Sequence, residues 1–268
     1  MPRIALIAAA LVLLVAGVVA YRLIAPRSNI LTMPAASNGI DYVLIVQVPP
    51  ACRDGGCEAL YVLDGFAWLP TFTRLTDELS AQQRMAPVIL VGIAYRDAFD
   101  TGDLRKHDFT PAFGRTPNAT GGAEAFLRVL RDEIIPFAEQ RLPIDNRRRG
   151  LAGHSYAGLF ATYSFAEAPD LFDRYMILSP ALWFDGGKIY DITFKQSERR
   201  RAVFLAADTP RNEARSQMAS DTMRLADVLT SLPNVDVSRA TMVGETHNSM
   251  VEPAAMRGLR ALYAEGGR

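Results

Sequence analysis

The chain has 268 residues, of which 49% are hydrophobic and 22% are charged. Its 29 basic and 29 acidic residues give a formal net charge of zero. This length suits a large folded domain with a sizeable core, and the neutral charge gives no electrostatic basis for binding nucleic acid. The composition therefore excludes a nucleic-acid-binding protein of the basic type.

The first 28 residues differ from the rest of the chain. Arg3 precedes an apolar run over residues 4–20. One positive charge followed by such a run is typical of a secretory signal, and Val18-Val19-Ala20 supplies small residues for cleavage. The run is also just long enough to span a bilayer as an uncleaved anchor. The sequence predicts export to the periplasm, either as a free protein or tethered to the inner membrane through residues 1–28.

Two cysteines, Cys52 and Cys57, bracket a short loop between two predicted strands. In an oxidising compartment this arrangement favours a disulfide across a hairpin loop. The alternative is two unrelated thiols. A metal site would need more ligands than this neighbourhood supplies, so we expect no metal here.

Beyond the leader, predicted strands alternate with predicted helices. Residues 122–141 place apolar side chains at a 3.6-residue period, which predicts an amphipathic helix. The predicted strands are 41–48, 58–63, 87–93, the strand leading to Gly153, 175–178, 202–206 and 235–243.

This order of elements predicts an α/β fold with a mostly parallel central sheet and helices on both faces. The strand 87–93 is almost entirely apolar, as expected of a strand covered on both faces. The first two strands are joined by a short loop, and we expect them to be antiparallel. No linker divides the chain after residue 40, so residues 29–268 are predicted to form one domain.

The strongest motif is Gly153-His154-Ser155-Tyr156-Ala157-Gly158. It is typical of a nucleophile elbow, in which a serine stands on a strained turn between a strand and a helix. The positions two before and two after the serine must be small so that strand and helix can approach. Gly153 satisfies the first position, and Ala157 stands where a second glycine is usual. The alternative is an ordinary strand-to-helix turn.

A serine nucleophile needs a base, usually a histidine that a carboxylate orients. In α/β-hydrolases the chain order is serine, then acid, then histidine. Of the three histidines, His107 precedes the elbow, and His154 is adjacent to the serine, where its side chain should point away from the hydroxyl. This leaves His247, just after the last predicted strand, as the predicted base. The alternative is a surface-loop histidine.

The acidic residue is expected after the strand 202–206. Asp208 stands at the end of that strand and is the first choice, with Glu213 in reserve. An aspartate in this position is also a common turn former. A Ser–His dyad without a strong third member therefore stays open.

An oxyanion hole needs two backbone N–H groups aimed at the developing charge. One is expected from Tyr156, the residue after the serine. The other is expected from Phe66 in Asp64-Gly65-Phe66, because Gly65 permits the sharp turn that such a loop needs. The alternative is an ordinary Asp-Gly turn.

Several further segments match one family in order along the chain. They are residues 60–65 (LYVLDG), 91–95 (VGIAY), 105–111 (RKHDFTP), 121–127 (GGAEAFL), 153–160 (GHSYAGLF), 179–183 (SPALW) and 244–249 (GETHNS). Together with the serine motif they resemble the esterase D-like branch of the α/β-hydrolases, which includes enterobactin and salmochelin esterases. The resemblance spans residues from about 40 to 263.

By position, the resemblance implies Ser155 as nucleophile, His247 as base, and Phe66 and Tyr156 as oxyanion donors. The acidic member varies within this family, so the resemblance does not decide whether Asp208 is the acid.

Arg105 and Asp108 belong to a family-like segment near the mouth of the site and are expected to pair and hold a loop. Alternatively, Arg96 and Arg105 contact an anionic catecholate. Trp183 and Phe66 are expected either to line an acyl or aryl pocket or to belong to the core.

These observations predict a serine carboxylesterase that forms an acyl-enzyme on a small-molecule ester, either a siderophore lactone or a simpler ester. No cofactor is expected. Two alternatives are an acyltransferase of the mycolyltransferase type and a non-catalytic binding protein on the same fold.

Overall fold

The computed structural model describes residues 29–34, 36–53, 56–96, 101–113, 121–209 and 216–264. The predicted leader, residues 1–28, and the reserve acid Glu213 lie outside these ranges. Export and the role of Glu213 therefore stay predictions. Across the ranges described, no helix is long and apolar enough to cross a membrane.

One eight-stranded sheet forms the centre of the described structure, with strand order β1-β2-β4-β3-β5-β6-β7-β8. The strands are β1 (Asn29–Thr32), β2 (Tyr42–Gln47), β3 (Cys57–Val62), β4 (Val88–Tyr95), β5 (Ile144–His154), β6 (Arg174–Leu178), β7 (Arg201–Thr209) and β8 (Val235–Val243). The β1–β2 and β2–β4 pairs are antiparallel, and every later pair is parallel. The predicted α/β-hydrolase sheet is confirmed.

Helices cover both faces of this sheet. On one face lie α1 (Gly65–Ala81) and α7 (Val251–Tyr263). On the other lie α2 (Thr101–Phe109), α3 (Ala123–Val129), α4 (Ile135–Glu139), α5 (Tyr156–Glu167) and α6 (Ser216–Thr230). A π-helical turn, Leu130–Ile134, joins α3 to α4, so the predicted helix 122–141 is present as one continuous segment.

Burial on two faces explains why the central strands are so apolar. All eight residues of β4 are buried, as are the last five of β5. Each fully buried Leu, Ile or Val contributes about 1.5–3 kcal/mol relative to an exposed one. The sheet is therefore held from both sides by two apolar layers.

The predicted hairpin between the strands on either side of the cysteines is wrong. These strands, β2 and β3, run in opposite directions, but β4 lies between them and pairs with both. Pairing on both edges removes the backbone of β4 from water, and this position suits a strand that is buried along its whole length. The Cys52–Cys57 disulfide does form, but it closes the connection between two separated strands.

The parallel strands bring the chemically interesting residues to one edge of the sheet. Phe66 follows β3, Ser155 follows β5, Asp208 lies near the end of β7, and His247 follows β8. Because these strands run in the same direction, their carboxyl ends meet at the same edge. The candidate site therefore lies at this edge.

We predict that Gly65→Ala destabilises the fold by about 1–3 kcal/mol, because a methyl group there overpacks a backbone crossing. An added Cβ would lie 2.7 Å from the carbonyl carbon of Gly92 and 2.9 Å from the nitrogen of Ile93. Neither atom belongs to a flexible side chain. The free energy of unfolding, measured in urea, checks this expectation.

Gly102→Ala is the matched control, because a Cβ at Gly102 in α2 has no heavy atom within 4 Å. It should leave stability unchanged or raise it by up to about 1 kcal/mol, since alanine is the better helix former. Equal stability of the two variants would contradict the prediction.

Candidate active site

Ser155 stands on a strained turn between β5 and α5. Its backbone has φ 63° and ψ −120°, a conformation that costs about 1–3 kcal/mol for a residue with a side chain. Hydrogen bonds on both sides hold it: its N–H donates to the Leu178 carbonyl at 3.0 Å, and its carbonyl accepts from the Ala181 N–H at 3.0 Å. The turn is therefore built into the sheet edge.

The residue two positions before the serine is small for the steric reason that the motif predicts. A Cβ at Gly153 would lie 2.2 Å from the carbonyl oxygen of Ala157. Only glycine allows β5 and α5 to approach this closely. Ala157 itself is fully buried, and its methyl is accommodated in place of the usual glycine.

His247 and Asp208 face each other at the same edge. Nδ1 of His247 lies 3.5 Å from Oδ1 of Asp208. The aspartate is 1% exposed, and its Oδ1 also accepts a hydrogen bond from the Ser179 hydroxyl at 2.7 Å. Among the described residues, Oδ2 of Asp208 is buried without a partner. A buried carboxylate is thus held in place and directed at the imidazole.

Ser179 also lies at the site, although the sequence did not predict it as a site residue. It directly follows β6, has φ 37° and is fully buried. Its hydroxyl donates to the Asp208 carboxylate and accepts from the Asp208 backbone N–H at 3.1 Å. The β6–β7 register, which pairs Leu178 with Ala206, places the two residues side by side. Sequence spacing alone carries no signal for that register.

The two predicted oxyanion donors lie at the starts of helices. Phe66 is the second residue of α1, and Tyr156 is the first residue of α5. The first N–H groups of a helix have no intrahelical acceptor, and the helix dipole favours negative charge there. Both backbone N–H groups therefore suit a developing oxyanion.

Arg105 joins the loop before Phe66 to the strand before Ser155. Its guanidinium donates to both carboxylate oxygens of Asp64, at 2.7 and 2.8 Å, and to the His154 carbonyl at 3.2 Å. The expected Arg105–Asp108 pair is wrong. Asp108 is fully buried in the core and accepts from the Tyr42 hydroxyl at 2.6 Å, because α2 turns this side chain toward the sheet.

The other predicted substrate contacts lie on separate parts of the edge. Arg96 donates to the Met33 carbonyl at 2.9 Å and lies 3.5 Å from the Asp41 carboxylate. Trp183 is 45% exposed, and its ring centroid is 6.0 Å from that of Tyr156. Substrate binding by Arg96, Arg105 and Trp183 stays a prediction.

Two openings flank these residues. Trp183 borders a cleft of about 340 Å³, which is also lined by Tyr190, Asp221 and Arg224. The exposed Phe66 borders an apolar groove of about 480 Å³ between α1 and the β1–β2 edge. Across the part of the chain described, no group of three or more His, Cys, Asp or Glu side chains is placed to hold a metal ion.

His154 is buried beneath the predicted base. Its Nε2 lies 2.8 Å from the His247 carbonyl oxygen, and the two ring centroids are 4.4 Å apart. Burial, and to a lesser degree the neighbouring His247, lowers the pKa of His154 to about 3. The ring is therefore neutral near pH 7. Because a carbonyl only accepts hydrogen bonds, Nε2 carries the proton.

This burial predicts a loss of stability in acid. A histidine in the unfolded chain has a pKa of about 6.5, whereas that of His154 in the folded protein is about 3. Between these pH values the unfolded chain binds a proton at this residue and the folded protein does not, so acid favours unfolding. We expect the free energy of unfolding to fall by about 2 kcal/mol from this group between pH 7 and pH 5. Urea denaturation at both pH values should show a smaller fall in His154→Gln. The same fall in both proteins would contradict the expectation.

Comparison with known proteins shows which family the chain resembles. The sequence model of the Putative esterase family matches residues 35–250. Ferri-bacillibactin esterase BesA of Bacillus subtilis is 28% identical over 240 residues, which is 81% of this chain and 82% of that protein. Apo-salmochelin esterase of Escherichia coli is 38% identical over 148 residues, 51% of this chain and 44% of that protein.

The fold is also found among solved structures. Siderophore hydrolase EstB from Aspergillus nidulans superposes with a TM-score of 0.78 at 22% identity, over 91% of this chain and 97% of that one. A likeness at this identity concerns the fold. With the family match over most of its length, this chain belongs to the Putative esterase family.

Proposed function

We propose that this esterase-family protein is a serine esterase that cleaves small-molecule esters through an acyl-enzyme at Ser155. The observation that carries the proposal is the meeting, at one sheet edge, of the strained Ser155 turn and the Asp208–His247 pair. A serine on such a turn, with a histidine oriented by a buried carboxylate nearby, is the arrangement that nucleophilic acyl chemistry needs.

In the proposed mechanism, Oγ of Ser155 attacks the ester carbonyl while Nε2 of His247 accepts the hydroxyl proton. Asp208 holds the Nδ1–H side of the ring and stabilises the imidazolium that forms. The carbonyl oxygen becomes an oxyanion and accepts from the N–H groups of Phe66 and Tyr156.

Collapse of the tetrahedral intermediate breaks the ester bond, and the alcohol leaves with the proton from His247. Water then attacks the acyl-enzyme while His247 takes one of its protons. The bond between the carbonyl carbon and Oγ of Ser155 breaks, Oγ regains the proton from His247, and the carboxylic acid is released. In this proposal Arg105 is a positioning residue, because its bonds to Asp64 and the His154 carbonyl tie the Phe66 loop to the serine strand.

For the substrate class we propose siderophore esters. The support comes from the names of the relatives, an esterase of ferri-bacillibactin and an esterase of apo-salmochelin. The open cleft beside Trp183 supports the same class, because an exposed indole suits a bulky aromatic arm of an ester.

We further propose that the protein works outside the cytoplasm, held or exported through residues 1–28. Two features support this. The leader has the pattern of a signal or anchor, and the Cys52–Cys57 disulfide is of a kind that persists in oxidising compartments.

The first test is Ser155→Ala, which should abolish turnover of a catecholate trilactone and of p-nitrophenyl esters, because no other group replaces the nucleophile. We expect the loss in kcat to exceed about 1,000-fold. In the wild type, the trilactone should be turned over with a kcat/KM well above that of the simple esters. Product release measured by chromatography and by absorbance checks both expectations.

Gly102→Ala serves as the control, because an added Cβ at Gly102 has no heavy atom within 4 Å. Turnover that persists in Ser155→Ala would contradict the proposal. A wild type that prefers short acyl esters and leaves the trilactone intact would contradict the substrate class. Ester formation with an added alcohol would indicate acyl transfer instead.

The second test concerns the acid. Asp208→Asn should lower kcat at least 100-fold, because the amide no longer stabilises the imidazolium and favours the wrong tautomer of His247. Ser179→Ala should lower kcat by about 3- to 10-fold, since it removes one hydrogen bond worth about 1 kcal/mol to the same carboxylate. Steady-state kinetics with p-nitrophenyl acetate measure both. Full activity of Asp208→Asn would favour a Ser–His dyad.

A further inference from the structure

The loop that carries His247 is closed by short-range hydrogen bonds, such as that from the Met250 N–H to the Thr246 carbonyl at 3.1 Å. It follows β8, and its side chains Glu245, Thr246 and Ser249 bond to one another at the surface. In the described structure, two polar contacts join His247 to the sheet: the 3.5 Å contact of its ring with Asp208 and the 2.8 Å hydrogen bond of its carbonyl with His154. The shorter of the two involves the backbone, so it acts on the loop itself.

His154 is well suited to hold that loop, because its own position is over-determined. It is the last residue of β5 and is 4% exposed. The Trp68 ring packs edge-on against it at a centroid distance of 5.3 Å, and Arg105 holds its backbone carbonyl. The imidazole is thus a rigid donor between the serine strand and the base loop.

The neutral state of His154 also suits its location. The base must gain a proton during the reaction, and a second charge 4.4 Å away would repel it. Burial keeps the His154 ring uncharged near neutral pH. The side chain therefore supplies a hydrogen bond and a packing surface without opposing the imidazolium of His247.

We propose that His154 is a positioning residue for catalysis: its Nε2–H bond to the His247 carbonyl and its ring contact hold the base in register with Ser155 and Asp208. This inference rests on the proposed function, since it assigns His247 the role of base. In this proposal His154 supports two segments, the turn that carries Ser155 and the loop that carries His247.

Three substitutions at this position test the proposal with p-nitrophenyl acetate as substrate. The amide nitrogen of His154→Gln reaches about as far from the backbone as Nε2, so this variant should keep kcat within about threefold of the wild type. His154→Met keeps the volume without the donor, and His154→Asn keeps a donor that is too short. Both should lower kcat about 10- to 100-fold with KM within twofold, because a small misplacement of a catalytic group is costly.

Thermal unfolding separates positioning from general packing. We expect kcat in the three variants to follow the presence of a donor that reaches the carbonyl, and not their melting temperatures. If His154→Met does not fold, the comparison of the two amides decides alone. Equal kcat in Gln and Asn variants, or losses that follow the melting temperature, would overturn the inference.

A parallel assay of Ser155→Ala distinguishes failure of the positioning role from failure of the proposed function. Turnover that survives in Ser155→Ala overturns the serine esterase itself. Turnover that needs Ser155 but is the same in the Gln and Asn variants at position 154 overturns only the positioning role.

Discussion

The close approach of β5 and α5 around Ser155 is the constraint on which the rest of the site depends. The carbonyl of Ala157 occupies the space where a side chain at position 153 would begin, so glycine is required there. Ser155 is held at positive φ by hydrogen bonds to the Leu178 and Ala181 backbones. The strain of this turn persists because the neighbouring strand over-determines it.

Once the turn is set, the register of the parallel strands supplies its neighbours. The pairing of β6 with β7 brings the buried Ser179 hydroxyl to Asp208. The loop after β8 then brings His247 to the same carboxylate. On the other side, Arg105 bridges Asp64 and the His154 carbonyl. Each contact joins segments distant in sequence, and all of them lie at the carboxyl edge of one sheet.

Burial governs the charges at this edge. Asp208 is almost fully buried, and a carboxylate in that position is costly unless hydrogen bonds compensate for the lost water. The Ser179 hydroxyl provides one such bond, and the His247 ring lies next to the same oxygen. Burial also lowers the pKa of the nearby His154 and leaves its ring neutral beside His247 near pH 7. The edge therefore combines a shielded acid with an uncharged imidazole.

The sequence alone predicted the alternation of strands and helices, the serine turn and the mostly parallel sheet. These features follow from local periodicity and from the steric demand for small residues near Ser155. Only the tertiary structure decided that β4 separates β2 from β3, that Arg105 pairs with Asp64, and that His154 bonds to the His247 carbonyl. Strand order, register and the direction of a buried side chain depend on contacts between distant segments. A sequence pattern records which residues are apolar or small, but not which distant partner each one meets.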